Sequence, residues 1–219
     1  MTAHPIRFMT KATAKAINGG LTTTSKMPCD SYSLPTLACQ TGYAMSKVDG
    51  SVCSKCYANK GFYKLYEANI LPAQMARLDS ITSDDWVASM VASIGTSSYF
   101  RWHDSGDLQG LDHLRKIVAV CLATPETKHW LPTREFKMIG DYVKAGGVVP
   151  ANLTIRLSAM YPDKPVTIPK ALQGIRGVTA SNVHTAQPMG QACTAPEHDG
   201  KCLDCRACWT DAVISYAMH

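Results

Sequence analysis

Apolar residues along the middle of the chain switch repeatedly between a helical and a strand period. Trp86, Val87, Met90, Val91 and Ile94 recur at three- and four-residue spacing behind Ser83, Asp84 and Asp85, which suit a helix start, and Gly95 supplies a stop. Ser98 to His103 is rich in aromatics and predicts a strand. Leu108, Leu111, Leu114, Ile117, Val118, Cys121 and Leu122 form a second helical face, with Asp107 placed to cap it and Pro125 just beyond its end. Lys128 to Pro132 predicts a short strand. Thr133 is then placed to cap a helix carrying Phe136, Ile139, Tyr142 and Val143 that stops at Gly146-Gly147. Leu153 to Ser158 alternates as a strand does, and Val178 to Val183 predicts one more.

Strands alternating with helices predict an α/β fold on a parallel sheet, a full or partial (βα) barrel-like one or an open one. Ligands in such folds sit at the carboxyl ends of the strands. Those ends carry His103, Asp104, Ser105, Gly106 and Asp107, then Thr133 and Arg134, then Ser158, Ala159 and Met160. They are polar positions fed by mostly apolar strands, and they make a candidate site. A plain alternative reads Asp107 and Thr133 as helix caps and Ser105-Gly106 as a turn.

At 219 residues the chain is expected to form a single domain, 1–219. Within it, residues 1–80 are a loop-rich, cysteine-containing region, 81–185 the βα core, and 186–219 a second cysteine-rich segment ending in a short apolar tail. Hydrophobic residues are 46% and charged residues 18% of the chain, which argues against disorder and coiled coil. Met1 to Gly20, with Arg7, Lys11 and Lys15 scattered through it, lacks the apolar core of a signal peptide. The most apolar stretch, Trp86 to Ile94, is too short for a membrane span. The expectation is a cytoplasmic protein without a membrane partner. Its net charge of +5 is dispersed, so nucleic-acid binding is not supported.

Nine cysteines change the picture, because in a reducing compartment they point to metal or redox chemistry. Cys202, Cys205 and Cys208 form a Cys-x2-Cys-x2-Cys run, with Cys193 nine residues upstream. Three thiolates so spaced can wrap one face of a [4Fe-4S] cluster, and a fourth cysteine completes it. Structural zinc more often uses two separated Cys-x2-Cys pairs, and Cys53 and Cys56 with Cys205 and Cys208 would be such a set. Cys39, Cys53 and Cys56 form a second candidate metal group, with Cys29 upstream unassigned, while Cys121 falls on an apolar helix face as core. His103 and His129 border strands and could be ligands or proton carriers, though a lone histidine is more often structural; His4, His184, His198 and His219 have no evident partner. No phosphate-cradling glycine motif is present.

Ser25-Lys-Met-Pro-Cys29, Ser31 to Pro35, Cys53-Ser-Lys-Cys56-Tyr57-Ala58, Arg101 to Asp107 and Cys202 to Trp209 together resemble the phage "gene product 88" domain family, from about residue 20 to 210. The resemblance implies a bacteriophage origin, with the protein working in the host cytoplasm. More distantly, Cys-x2-Cys-Tyr-Ala, the strand ends Ser-Gly-Asp-Leu and Leu-Pro-Thr-Arg, and Asn152 to Ser158 resemble, in order, radical S-adenosylmethionine (βα) barrel proteins. That likeness implies a cluster on Cys39, Cys53 and Cys56, with Asp104, Ser105, Gly106 and Asp107 binding the S-adenosylmethionine cosubstrate. The chain departs from that superfamily's usual Cys-x3-Cys-x2-Cys, since thirteen residues separate Cys39 from Cys53. The expected function is a phage iron–sulfur protein with one or two [4Fe-4S] clusters, radical-S-adenosylmethionine-like or electron-transferring, whose partner is a small molecule or an electron-transfer protein. The alternative is a zinc-stapled module acting on a host protein or nucleic acid.

Overall fold

The structure, a computed structural model, describes residues 9–218. Arg7, His4 and His219 of the reading above lie outside the described residues. Eight strands form one sheet: β1 (Thr22–Thr23), β2 (Asp30–Tyr32), β3 (Tyr99–Trp102), β4 (Lys128–Thr133), β5 (Leu153–Ser158), β6 (Val178–His184), β7 (Gln191–Ala192) and β8 (Ile214–Ala217). Their order is β1-β2-β3-β4-β5-β6-β8-β7, and every pair is parallel except β1 with β2. The helices are α1 (Lys11–Asn18), α2 (Thr41–Ser46), α3 (Gly61–Leu65), α4 (Glu67–Ser80), α5 (Trp86–Ile94), α6 (Leu111–Ala123) and α7 (Phe136–Lys144).

From β2 to β6 and then β8, spatial order follows chain order. No reversal creates a crevice of the doubly wound kind, so the loops at the carboxyl edge are where a site can form. The sheet does not close: β1 and β7 are its edges, and the full-barrel form of the expected fold is not realised.

Parallel sheets are buried on both faces, and here the two faces differ. One face sends Phe100, Trp102, Leu131, Leu153, Ile155 and Leu157 into a core with Trp86, Met90 and Ile94 of α5, Leu114, Ile117 and Cys121 of α6 and Ile139 of α7. Burying each large side chain contributes roughly 1.5–3 kcal/mol. The other face is polar and aromatic. Arg101 lies over the ring of Trp130 at 4.6 Å, and Trp209 packs on Tyr99 and Trp130 with centroids 5.2 and 5.4 Å apart. Trp209 Nε1 also donates to Phe100 O at 3.0 Å, fixing the C-terminal segment to the sheet.

Several sequence expectations are corrected. The N-cap of α6 is Gly110, not Asp107, and Leu122 at its end is 65% exposed rather than part of the apolar face. Thr133 ends β4, and the residue before α7 is Glu135. The segment 1–80, expected as loop, holds the 14-residue α4, continuous through Pro72. Its buried positions are Gln74 and Arg77, so polar residues occupy the face where an apolar period would reveal a helix. Arg77 donates from Nε to Gly20 O at 2.7 Å and from Nη1 to Ser33 Oγ at 2.7 Å. The apolar tail is strand β8, paired with both β6 and β7. No helix among the described residues is long and apolar enough to cross a membrane.

Candidate functional site

The three strand ends that the sequence singled out converge at the carboxyl edge. After β3 the chain turns at His103, whose φ of 53° is left-handed, and at Gly106, where φ is 79°. A Cβ on Gly106 would come within 2.5 Å of Leu34 Cβ, so only glycine lets the turn approach the loop after β2. Leu34 N donates to Ser105 O at 2.9 Å, and Ser105 Oγ donates to Leu34 O at 2.5 Å. Asp107 is buried and bridges two strand ends, accepting from Leu108 N (2.8 Å), Thr133 Oγ1 (2.6 Å) and Arg134 N (2.8 Å). Burial pushes its carboxyl up to about 6, against those hydrogen bonds, which favour the anion.

The cysteine-bearing loops are stitched over this edge partly by strand-end positions read from the sequence, Asp104 and Met160, and partly by groups that reading did not single out, Glu135, Thr41, Val52 and Tyr63. Glu135, buried at the start of α7, accepts from Thr41 N and Thr41 Oγ1, both at 2.8 Å, and so anchors the turn that follows Cys39. Val52 N donates to Met160 O at 2.9 Å, tying the Cys53 loop to the end of β5. The Tyr57 hydroxyl donates to Asp104 O, and Tyr63 Oη donates to Asp104 Oδ2 at 2.7 Å while Ser31 Oγ donates to Oδ1 at 2.8 Å. Asp104, Ser105 and Asp107 therefore all hold protein partners. Half-open clefts of about 210 and 230 Å³ flank the loops, one beside Thr36, Asn59, Tyr63 and Gln74, the other beside Met160, Tyr161 and Lys164.

Within this edge Cys39, Cys53 and Cys56 come together. The position of a Cβ on Gly42 is 3.6 Å from Cys39 Sγ and 3.7 Å from Cys53 Sγ, so the two sulfurs flank the side of Gly42 that lacks a side chain. Burial pushes the Cys39 thiol up to about 12, helped by Asp107, Cys56 and Cys53 and opposed by Arg134. Burial likewise raises Cys53, with Arg134 opposing. Both groups are thus neutral thiols that a metal would have to deprotonate.

The remaining cysteines, apart from Cys121, gather elsewhere. Cys193 N donates to Ser215 O at 2.8 Å and Cys202 N to Lys26 O at 2.9 Å. Cys208 Sγ lies 3.2 Å from Tyr216 Oη, and burial pushes its thiol up to about 11. Cys193 and Cys205 are charge neighbours of Cys202, and Cys29 is another. Arg156, fully buried, donates to Ala180 O (2.9 Å), Ala212 O (2.5 Å) and Thr210 O (2.8 Å), and holds this segment on β5. All nine cysteines are unbridged, and Cys121 is buried in the core. Among the described residues, no three His, Cys, Asp or Glu side chains are arranged as a ready ion site.

His103 is buried with both ring nitrogens unpartnered, its ring 5.3 Å from that of His113. Burial, with His113 and Arg101 nearby, lowers its pKa far below the ordinary value. His129 bonds Thr124 Oγ1 at 2.9 Å within the core. The adjacency of Tyr57, Tyr63, Glu135 and Arg101 to the site carries no sequence signal beyond the membership of Tyr57 and Arg101 in quoted motifs.

No curated protein and no solved structure matches the chain. The sequence does match the Gene product 88 family over residues 7–211, which spans the cysteine loops, the strand-end turns and the C-terminal run alike. With nearly its whole length covered, the chain belongs to the Gene product 88 family.

Proposed function

We propose that this is an iron–sulfur protein in which Cys39, Cys53 and Cys56 hold a [4Fe-4S] cluster above the carboxyl ends of β3, β4 and β5, with a second cysteine site formed by the C-terminal group. The observation that carries the reading is the pair of thiols at Gly42, seated on the edge where parallel α/β sheets hold ligands. The Cys-x2-Cys-x2-Cys run at Cys202, Cys205 and Cys208 adds the spacing of cluster ligands, where structural zinc more often takes two separated pairs. A chain-ordered run of strands from β2 is also the order of part of a βα barrel, and we read the sheet as a partial one.

When bound, the cluster supplies one-electron chemistry and, with three protein thiolates, one iron open to an external ligand such as S-adenosylmethionine. The chain's own residues have definite parts in this reading. Glu135 holds the Cys39 turn through Thr41, and Val52 holds the Cys53 turn through Met160. Arg134, whose Nε donates to Ala159 O at 3.1 Å, brings positive charge toward Cys39 and Cys53 and favours their thiolates. Asp107 is fixed by three donors and shapes the edge rather than swinging into it.

The test is a set of variants, Cys39→Ala, Cys53→Ala and Cys56→Ala, purified anaerobically and assayed for iron, acid-labile sulfide and visible absorption. Each should lose the same portion of iron, while Cys121→Ala keeps all of it. Parent and variants with zinc and no sulfide would overturn the reading in favour of a zinc-stapled module. Incubating the reduced protein with S-adenosylmethionine then separates an enzyme, which releases 5′-deoxyadenosine, from an electron carrier, which does not.

A further inference from the structure

Of the nine cysteines, Cys29 is the one that sequence spacing leaves without a group. It lies just before β2, ten residues ahead of Cys39, yet the fold turns it the other way. The segment before it is joined to the C-terminal run by Cys202 N donating to Lys26 O at 2.9 Å. A Cβ on Gly200 would come within 2.9 Å of Lys26 Nζ, so the two loops run against each other. The charge neighbours of the Cys29 thiol are Arg101, Asp30, Cys202 and Arg206; neither Cys39, Cys53 nor Cys56 is among them.

A second observation is independent of the cysteines. Arg101 points from β3 into the space between these loops and has no ion pair among the described residues. Its Nη1 donates to Met27 Sδ at 3.1 Å, Nη2 to Tyr57 Oη at 3.3 Å, and Nε is buried without a partner. Asp104 is a charge neighbour of Arg101, but its side-chain oxygens accept from Ser31 and Tyr63 and it forms no ion pair with the guanidinium. Besides the Trp130 face and the charge of Asp104, a guanidinium with a buried, unpaired N–H gains from further negative charge close by. Arg101 is a charge neighbour of Cys29, Cys202 and Cys208, and Arg206 of Cys29 and Cys202. Bound to a metal as thiolates, these cysteines would set negative charge beside both guanidiniums.

We propose that Cys29 is a ligand of the C-terminal cysteine site, binding an iron–sulfur cluster together with cysteines of the 193–208 group, and that Arg101 is the counter-charge of that cluster. This rests on the iron–sulfur reading above and extends it to a residue and a cation that reading does not use. Ligation replaces the thiol proton of Cys29 with a bond to iron and releases that proton to solvent, so no redox partner is needed. Arg101 touches neither iron nor sulfide by this assignment; it is a positioning residue that sets the charge around them.

The experiment compares anaerobically purified full-length parent, Cys29→Ala, Cys202→Ala and Cys53→Ala for iron, sulfide and the electron paramagnetic resonance signal after dithionite reduction. Cys29→Ala should lose the same portion of iron and the same signal as Cys202→Ala, and the Cys29→Ala/Cys53→Ala double variant should lose both portions. Cys29→Ala with parental iron, or with the loss pattern of Cys53→Ala, would overturn the assignment. Arg101→Gln should shift the midpoint potential of the Cys202-dependent signal to more negative values, and an unshifted potential would remove Arg101 from it. Should Cys29→Ala fail to fold, metal-stripped parent treated with diamide is peptide-mapped. A Cys29 link to Cys193, Cys202, Cys205 or Cys208 supports the assignment, and a link confined to Cys39, Cys53 or Cys56 contradicts it. Zinc in place of iron and sulfide in the parent would sink the cluster chemistry alone, since zinc content that falls in Cys29→Ala still makes Cys29 a ligand. A parent with no metal at all sinks both.

Discussion

Arg156→Met tests how the C-terminal segment is held to the sheet. The guanidinium is fully buried and has no carboxylate partner among the described residues; it donates to three carbonyls at 2.5–2.9 Å, Ala212, Thr210 and Ala180, and more weakly to Cys208 O at 3.2 Å. Methionine fills much of the volume but removes the guanidinium donor from each of those oxygens, leaving Ala212 O only the long contact from Thr179 Oγ1. Each buried unsatisfied carbonyl costs roughly 1–3 kcal/mol. Two terms reduce the sum: removing a buried cation relieves a desolvation cost of several kcal/mol, and Thr210, which is exposed, can turn toward water. A net loss of about 3 kcal/mol follows, which for a chain of this size lowers the melting temperature by roughly 10 °C. Urea unfolding followed by tryptophan fluorescence is the assay, with Trp209 as a local reporter. Arg156→Lys, with a single point charge that cannot span β6 and residues 210–212 at once, should fall between parent and Met. An Arg156→Met protein as stable as the parent within about 0.5 kcal/mol, or more stable, would refute the reasoning and show the buried cation to be a net burden.

Three further outcomes are expected. Glu135→Ala should free the Thr41 amide and speed its hydrogen exchange roughly ten- to a hundredfold, from about 1.4–3 kcal/mol of lost charge-assisted bonding, and unchanged exchange would show that Glu135 does not anchor the Cys39 turn. Gly42→Ala puts a Cβ 3.1 Å from Cys39 Cβ and between the two thiols; iron content should fall with far-ultraviolet circular dichroism unchanged, and parental iron would contradict the cradle. Burial lowers His113 to about 3 and His129 to about 4 from the ordinary 6.5, so each contributes stability that is complete above pH 6.5 and is lost as pH falls toward those values, about 1.4 kcal/mol per unit per histidine. Asp107, raised to about 6, works in the opposite sense as pH falls from 6 to 4, but one carboxyl faces two such histidines plus His103. Urea midpoints should therefore drop from pH 7 to pH 5, and a flat profile would contradict neutral buried imidazoles.

The βα core was legible because its strands and helices bury apolar side chains at their own periods: the sequence places α5, β3, α6, β4, α7, β5 and β6 where they occur, within a few residues. Polar burial hid the rest. The inner face of α4 is Gln74 and Arg77, which bond loop carbonyls and hydroxyls, and no apolar period marks it. Asp107 has the chemistry of a cap, but its carboxylate is taken up by the end of β4, a contact 26 residues away that local pattern cannot show. The strand-end positions of the site were readable from topology alone, whereas Glu135, Tyr63 and the direction in which Cys29 turns depend on how loops far apart in sequence meet over the sheet. Closure was the other open point: the pattern of alternating elements is common to barrels and open sheets, and only the edges at β1 and β7 decide it.

The central claim is that thiols on this fold hold iron and sulfide, and the most direct measurement is the iron, zinc and acid-labile sulfide content of the full-length protein purified without oxygen. The account expects iron and sulfide in near-equal amounts, at least about four of each per chain for one [4Fe-4S] cluster and about eight for two. Zinc without sulfide, or a protein free of metal, would contradict it.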